Sequence, residues 1–157
     1  MSVRVAPLVY ATTTRRPPIV IVPIERWNRV AARGIRLGLQ LSDDVTAVHV
    51  KTDEDLSAIW HEQVVEPLRA AGLAIPRLAV IESETHEIEK PLLEFIAGVR
   101  RDKPDRAIAV MIPEVIEPYW YEYLHHEVHG RSLRAELSRQ RDERTIVIHV
   151  PWYLDDD

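Results

Sequence analysis

Five short apolar runs recur along the chain: Ile19 to Val22, Val45 to Val50, Leu78 to Ile81, Ala107 to Ile112 and Thr145 to Val150. Between them lie longer segments whose apolar residues repeat at three and four, among them Val30-Gly34-Leu37-Leu41, Leu56-Trp60-Val64-Leu68 and Leu92-Ile96-Val99. The short runs predict buried strands and the periodic segments predict amphipathic helices. Strands that are apolar on both faces and alternate with helices make βαβ units, so the expected class is α/β: a five-stranded parallel sheet, doubly wound. Right-handed crossovers restrict the topology, and the commonest arrangement is 3-2-1-4-5 with Ile19 to Val22 as a central strand. Ligands in such sheets bind beyond the carboxyl ends of the strands at the topological switch point. That rule places the candidate site near Pro23, Val50 and Pro113.

Boundaries follow from turn chemistry. Residues 1–18 end in Thr12-Thr13-Thr14-Arg15-Arg16-Pro17-Pro18 and read as an arm or linker, residues 19–154 as the folded unit, and Asp155 to Asp157 as a solvated acidic tail. Thr52 followed by Asp55 has the spacing of a helix N-cap with an acidic third residue, and Gly72 after Ala71 has the character of a C-terminal stop. Arg26, Arg29, Arg33 and Arg36 form one helical stripe beside the apolar one, and Gly34 and Gly38 mark close packing of that helix on the sheet.

Composition narrows the function classes. The 157 residues suit one domain, 46% hydrophobic and 29% charged, with a net charge of −5 that argues against a nucleic-acid binder, since such proteins need a basic face. No apolar run approaches the roughly 20 residues needed to span a bilayer, and no secretory h-region opens the chain, so the expected localisation is cytoplasmic. The absence of cysteine excludes disulfides, thiolate metal sites and thiol catalysis. Five glycines, at positions 34, 38, 72, 98 and 130, cannot be assembled into GxGxxG or GxxxxGK[ST]. Arginine supplies 17 of the 20 basic residues, a bias that suits bidentate phosphate or carboxylate recognition and equally fits genome composition.

Several stretches then point one way. Ser42-Asp43-Asp44-Val45-Thr46-Ala47-Val48-His49-Val50, Pro91-Leu92-Leu93, Asp105 to Glu114, Tyr119-Trp120, Leu124-His125 and Val150-Pro151-Trp152-Tyr153-Leu154 resemble, in order and separation, the cytosolic C-terminal domain of APC-superfamily amino acid and potassium permeases. That domain is universal-stress-protein-like. The resemblance implies a non-enzymatic regulatory module without a cofactor, homodimeric, attached to a permease transmembrane domain and sensing an adenine nucleotide, in some potassium importers cyclic di-AMP. It departs at Leu124-His125-His126, and the glycine pair that nucleotide-binding stress proteins carry after strand 4 is replaced by Glu117-Pro118-Tyr119-Trp120. Poor affinity for ATP is expected, with an adenine dinucleotide bound more tightly.

At the switch point Pro23, Val48, His49, Val50, Pro113 and Glu114 surround one crevice. Backbone groups of Val48 and Val50 are placed for an adenine edge, Trp120 or Tyr119 for stacking worth about 1 to 3 kcal/mol, and His125, Arg131 and Ser132 for phosphate. Tyr119, Trp120, Tyr121 and Tyr123 equally suit a lid or a dimer contact. A metal-dependent hydrolase using His125, His126 and His129 is the competing enzyme reading, although neither His125 nor His126 begins a His-Glu-x-x-His motif. A ligand-free interaction domain is the third. The arginine stripe reads as a solvated face or as a docking surface for anionic lipid or a permease body. Trp60 is expected in core or interface packing, and His49 fits a satisfied sheet residue better than a general base.

Overall fold

The computed structural model describes residues 16–51, 55–83, 89–116 and 144–153. Five parallel strands, β1 (Ile19–Ile24), β2 (Val45–Lys51), β3 (Arg77–Glu82), β4 (Ile108–Ile116) and β5 (Thr145–Tyr153), lie in the order β3-β2-β1-β4-β5. The expected topology is therefore the observed one. Helix α1 (Arg29–Leu41) connects β1 to β2, helix α2 (residues 57–70) connects β2 to β3, and α3 (Glu89–Asp102) crosses from β3 to β4. Among the described residues no helix is long and apolar enough to cross a membrane.

Two apolar layers sandwich the sheet. On one face Val20, Val22, Val45, Ala47 and Met111 pack under Ala31 and Ile35 of α1 and Leu56, Trp60 and Val64 at and in α2. On the other, Ile19, Ile21, Val48, Val50, Ile108 and Val110 pack under Leu92 and Ile96 of α3. Alternate residues of one strand thus feed opposite layers, so the inner strands β1, β2 and β4 carry apolar residues on both faces, whereas the edge strand β3 exposes Arg77, Val80 and Glu82.

Helix α1 begins at Asn28, whose side-chain oxygen accepts the Ala31 N–H at 2.9 Å. Its buried line is Ala31, Gly34, Ile35 and Gly38, whereas Leu41 of the expected stripe is 49% exposed. The glycines decide the contact line. A Cβ at Gly34 would come within 3.1 Å of Pro113 and 3.2 Å of Val22, and one at Gly38 within 3.2 Å of Val20, so the backbone itself lies on the sheet. The arginine stripe falls outside that line, with Arg26, Arg29 and Arg36 exposed and Arg33 half-buried.

Helix α2 is continuous through an α-helical turn (Ser57–Trp60), a π-helical segment (His61–Val65) and a second α-helical stretch (Glu66–Ala70). Pro67 explains the middle segment. It lacks an N–H and its ring would meet the carbonyl four residues back, and the wider turn, in which the Glu66 N–H donates to His61, relieves that conflict. The helix ends as expected at Gly72, with φ of 67°: Leu73 N–H donates to Leu68 and Gly72 N–H to Arg69, the paired bonds of a Schellman stop. Its start differs from the Thr52 expectation. Thr52 lies outside the described residues, and the Asp55 carboxylate accepts the Ser57 N–H at 3.0 Å.

Candidate functional site

The carboxyl end of the sheet opens where β1 and β4 part. Their ladder holds three pairs, Ile19 with Ile108, Val20 with Ala109 and Ile21 with Val110, yet β1 continues to Ile24 and β4 to Ile116. Prolines sit on both strands just past the last pair. Pro23 and Pro113 have no N–H to donate, so the ladder cannot close beyond them. β1 stays paired with β2 as far as Ile24–His49, and β4 with β5 as far as Ile116–Tyr153. The two halves of the sheet thus splay at the switch point while each half remains intact.

The residues expected around this crevice fall into three groups. Pro23 and Pro113 are half-buried at its walls, Pro113 against the backbone of Gly34. Val48 and Val50 are buried on the α3 face. Val48 is paired on both sides, with Pro23 and Ala79; Val50 pairs with Ile81 alone, past the end of the β1 ladder, and stands nearer the opening. Glu114 belongs to β4 in register with Pro151. Trp120, His125, Arg131 and Ser132 lie outside the described residues, as do Tyr119, His126 and His129.

His49 is 1% exposed, and its Nδ1 lies 3.1 Å from the Ile24 carbonyl oxygen on the neighbouring strand. That contact ties the last turns of β1 and β2 together. Beside it, Asp55 stands at the head of α2. Hydrogen bonds from the Ser57 backbone N–H and hydroxyl hold its carboxyl below the usual carboxylate value, with smaller help from the positive charge of Lys51.

Sequence reasoning singled out Trp60 but not its partner. The Trp27 and Trp60 rings meet edge to face, centroids 5.7 Å apart and planes at 83°, closing the carboxyl end on the α1/α2 side. Trp27 immediately follows β1, so an aromatic within three residues of a central strand's end was the available signal.

At the opposite end, Asp44 gathers cations. Arg77 donates to its carboxylate at 2.5 Å and Arg106 at 3.1 Å, Lys103 stands 3.9 Å away, and Arg106 also donates to the Pro17 carbonyl at 2.7 Å. This cluster fixes the amino ends of β1, β2, β3 and β4 together, at the end of the sheet away from the crevice.

Comparison with known proteins gives the arrangement its relatives. Residues 14–152 match the family described as the KimA potassium transporter C-terminal domain. The chain is 25% identical over 139 residues to the potassium transporter KimA of Bacillus subtilis (strain 168), a stretch that is 87% of this chain and 22% of that protein. It therefore spans about a fifth of the relative's length. With the splayed parallel sheet and a match over most of its residues, the chain belongs to the family of KimA potassium transporter C-terminal domains.

Proposed function

We propose that this chain is a non-enzymatic regulatory domain that senses an adenine nucleotide at the carboxyl end of its sheet and governs potassium transport by a membrane protein. The observation that carries the reading is the parting of β1 and β4 after Ile21 and Val110, which leaves an opening at the place where α/β sheets take ligands. The family supplies the transporter, and the sequence supplies an aromatic and an anion-seeking segment, Trp120 and Arg131-Ser132, to close over the opening. A cyclic adenine dinucleotide such as cyclic di-AMP fits better than ATP, because the glycine pair that brings a backbone against a triphosphate is absent after strand 4.

The domain acts as a homodimer through its β5 edge. Ile146 on that strand is 50% exposed and Leu41 49%, and a groove of about 220 Å³ between α1 and β5 is lined by Leu37, Leu41 and Ile148. An apolar edge of this kind is stabilised by a second copy. No observation among the described residues favours the hydrolase reading.

Calorimetry with ATP, AMP and cyclic di-AMP tests the proposal. Cyclic di-AMP binds most tightly, and Arg131→Ala weakens it by about 1.5 to 3 kcal/mol, as for the loss of a charge-assisted hydrogen bond. No heat and no thermal shift with any of the three at millimolar concentration would leave a ligand-free interaction domain as the better account. Light scattering on the same samples reads the dimer, and a monomer at tens of micromolar would refute it.

A further inference from the structure

A cleft of about 310 Å³ opens at the amino end of the sheet, between α3 and the β2–β3 edge. Ile19, Ala79, Phe95 and Val99 give it an apolar lining, and the last three are only half-buried, so this part of the α3 face is uncovered by described residues. Arg77 and Lys103 stand at the rim. Their charge is answered by Asp44, at 2.5 and 3.9 Å, and Asp102 adds a further negative charge, so the rim does not select for an anion. An uncharged apolar occupant suits it.

Such an occupant lies in the chain itself. Residues 5–14 carry no charge, and Val5 to Ala11 are apolar without interruption. The chain comes into the described structure beside the cleft: Pro17 is held by Arg106 at 2.7 Å, and Ile19, two residues on, lines the cleft. Four residues separate Ala11 from Arg16, five steps along the chain with an extended reach of about 17 Å, so the segment is tethered within range. Left in water, seven successive apolar residues lose the stabilisation that burial gives them.

We propose that this cleft receives Val5 to Ala11 of the same chain. The family match begins at residue 14, so the docked segment lies outside the matched domain, and its seating sets the direction in which the domain leaves its own N-terminal flank. The inference rests on the amino end of the sheet and is independent of nucleotide binding.

Phe95 makes the test direct, because it is the chain's one phenylalanine. Fluorophenylalanine incorporation gives a single ¹⁹F resonance inside the cleft. Compared with the full chain, deletion of residues 2–13 shifts that resonance and increases its broadening by a soluble nitroxide. The double variant Leu8→Asp, Val9→Asp, which alters no described residue, does the same, and a peptide of residues 1–14 added to the deletion variant reverses both changes. Identical position and accessibility in the full chain, the deletion and the double variant overturn the proposal. So does a resonance indifferent to the segment but shifted by a medium-chain carboxylate, which would make the cleft a site for a free amphiphile, or one that changes only with protein concentration, which would assign it to a second copy. Circular dichroism melts on each variant show whether the fold is kept.

Discussion

Alanine at Gly34 and alanine at Gly98 carry the same helix-propensity gain into two different surroundings. Both glycines are interior to helices, where replacement by alanine stabilises by about 0.4 to 1 kcal/mol, chiefly by restricting the unfolded chain. At Gly98 the nearest atom to the new Cβ is the end of the Arg101 side chain at 3.9 Å, so the gain is kept whole. At Gly34 the new methyl sits 3.1 Å from Pro113 Cγ and 3.2 Å from Val22 Cγ1, inside ordinary contact with a ring and a buried core residue. Overpacking of that kind costs about 1 to 3 kcal/mol. Gly98→Ala therefore stabilises by up to about 1 kcal/mol, whereas Gly34→Ala nets between neutral and about 2.6 kcal/mol of destabilisation. Urea titration at unchanged slope reads the difference, and a melt should separate the two variants by several degrees, at about 2 to 4 °C per kcal/mol for a chain of this size. Equal stabilisation by both substitutions would refute the claim that α1 lies on the sheet through its backbone.

Three further outcomes follow from the same geometry. Gly72→Ala meets no atom within 4 Å but must hold a φ of 67°, so it destabilises by about 1 to 2 kcal/mol through backbone strain alone, and Gly72→Asn recovers part of that loss in the same urea assay. Asp44→Ala removes the shared partner of Arg77 and Arg106 and lowers stability by about 1 to 3 kcal/mol, while Arg77→Ala, at an exposed guanidinium, costs under about 1 kcal/mol; equal costs would show that the cluster does not act through its carboxylate. Asp55 has a folded-state pKa below its ordinary value of 3.8, so its contribution is fully present above that value and disappears as pH falls through the folded one; stability profiles of the wild type and Asp55→Ala should differ at neutral pH and converge in acid.

What the sequence disclosed and what it hid divide along lines of range. Strand positions and order were legible because strands buried on both faces need unbroken apolar runs, and crossover handedness did the rest. Gly72 was legible because a helix stop is local. The side of α1 that packs was misplaced by about one residue: periodicity weights large apolar residues such as Leu41, while the sheet selects the small ones that let the backbone approach. The end of β1 was set too early at Val22, because proline reads as a strand breaker; at a switch point a missing N–H costs nothing, since no ladder partner is there to receive it. Asp44 was seen only as part of a motif. Its partners lie 33 and 62 residues away in the chain, and no local pattern reports a pairing at that distance. Of the ten residues assigned to the candidate site, Pro23, Val48, His49, Val50, Pro113 and Glu114 gather at the carboxyl ends of β1, β2 and β4, because the topology alone places them.

On the proposed reading, nucleotide binding must also be able to move something. Switching a two-state element from 1:99 to 99:1 takes a differential affinity worth about 5.5 kcal/mol, and one charge-assisted contact such as that proposed for Arg131 would supply about 1.5 to 3 kcal/mol. A single phosphate grip is therefore insufficient, and the ligand must engage several groups that differ between states. Pro113 is the best placed to relay the difference: it stands at the opening between β1 and β4, and it packs close enough to Gly34 that a Cβ there would meet its Cγ at 3.1 Å. A ligand that widened the opening would push Pro113 toward α1, which also carries Leu37 and Leu41 at the groove beside β5. Because close-packed contacts shift between discrete arrangements instead of compressing, such a displacement would be carried along α1 to the β5 edge, where the proposed partner copy would sit. Two linked sites in the proposed dimer would double the available free energy, and on that arithmetic the proposed dimerisation would be part of the proposed sensing.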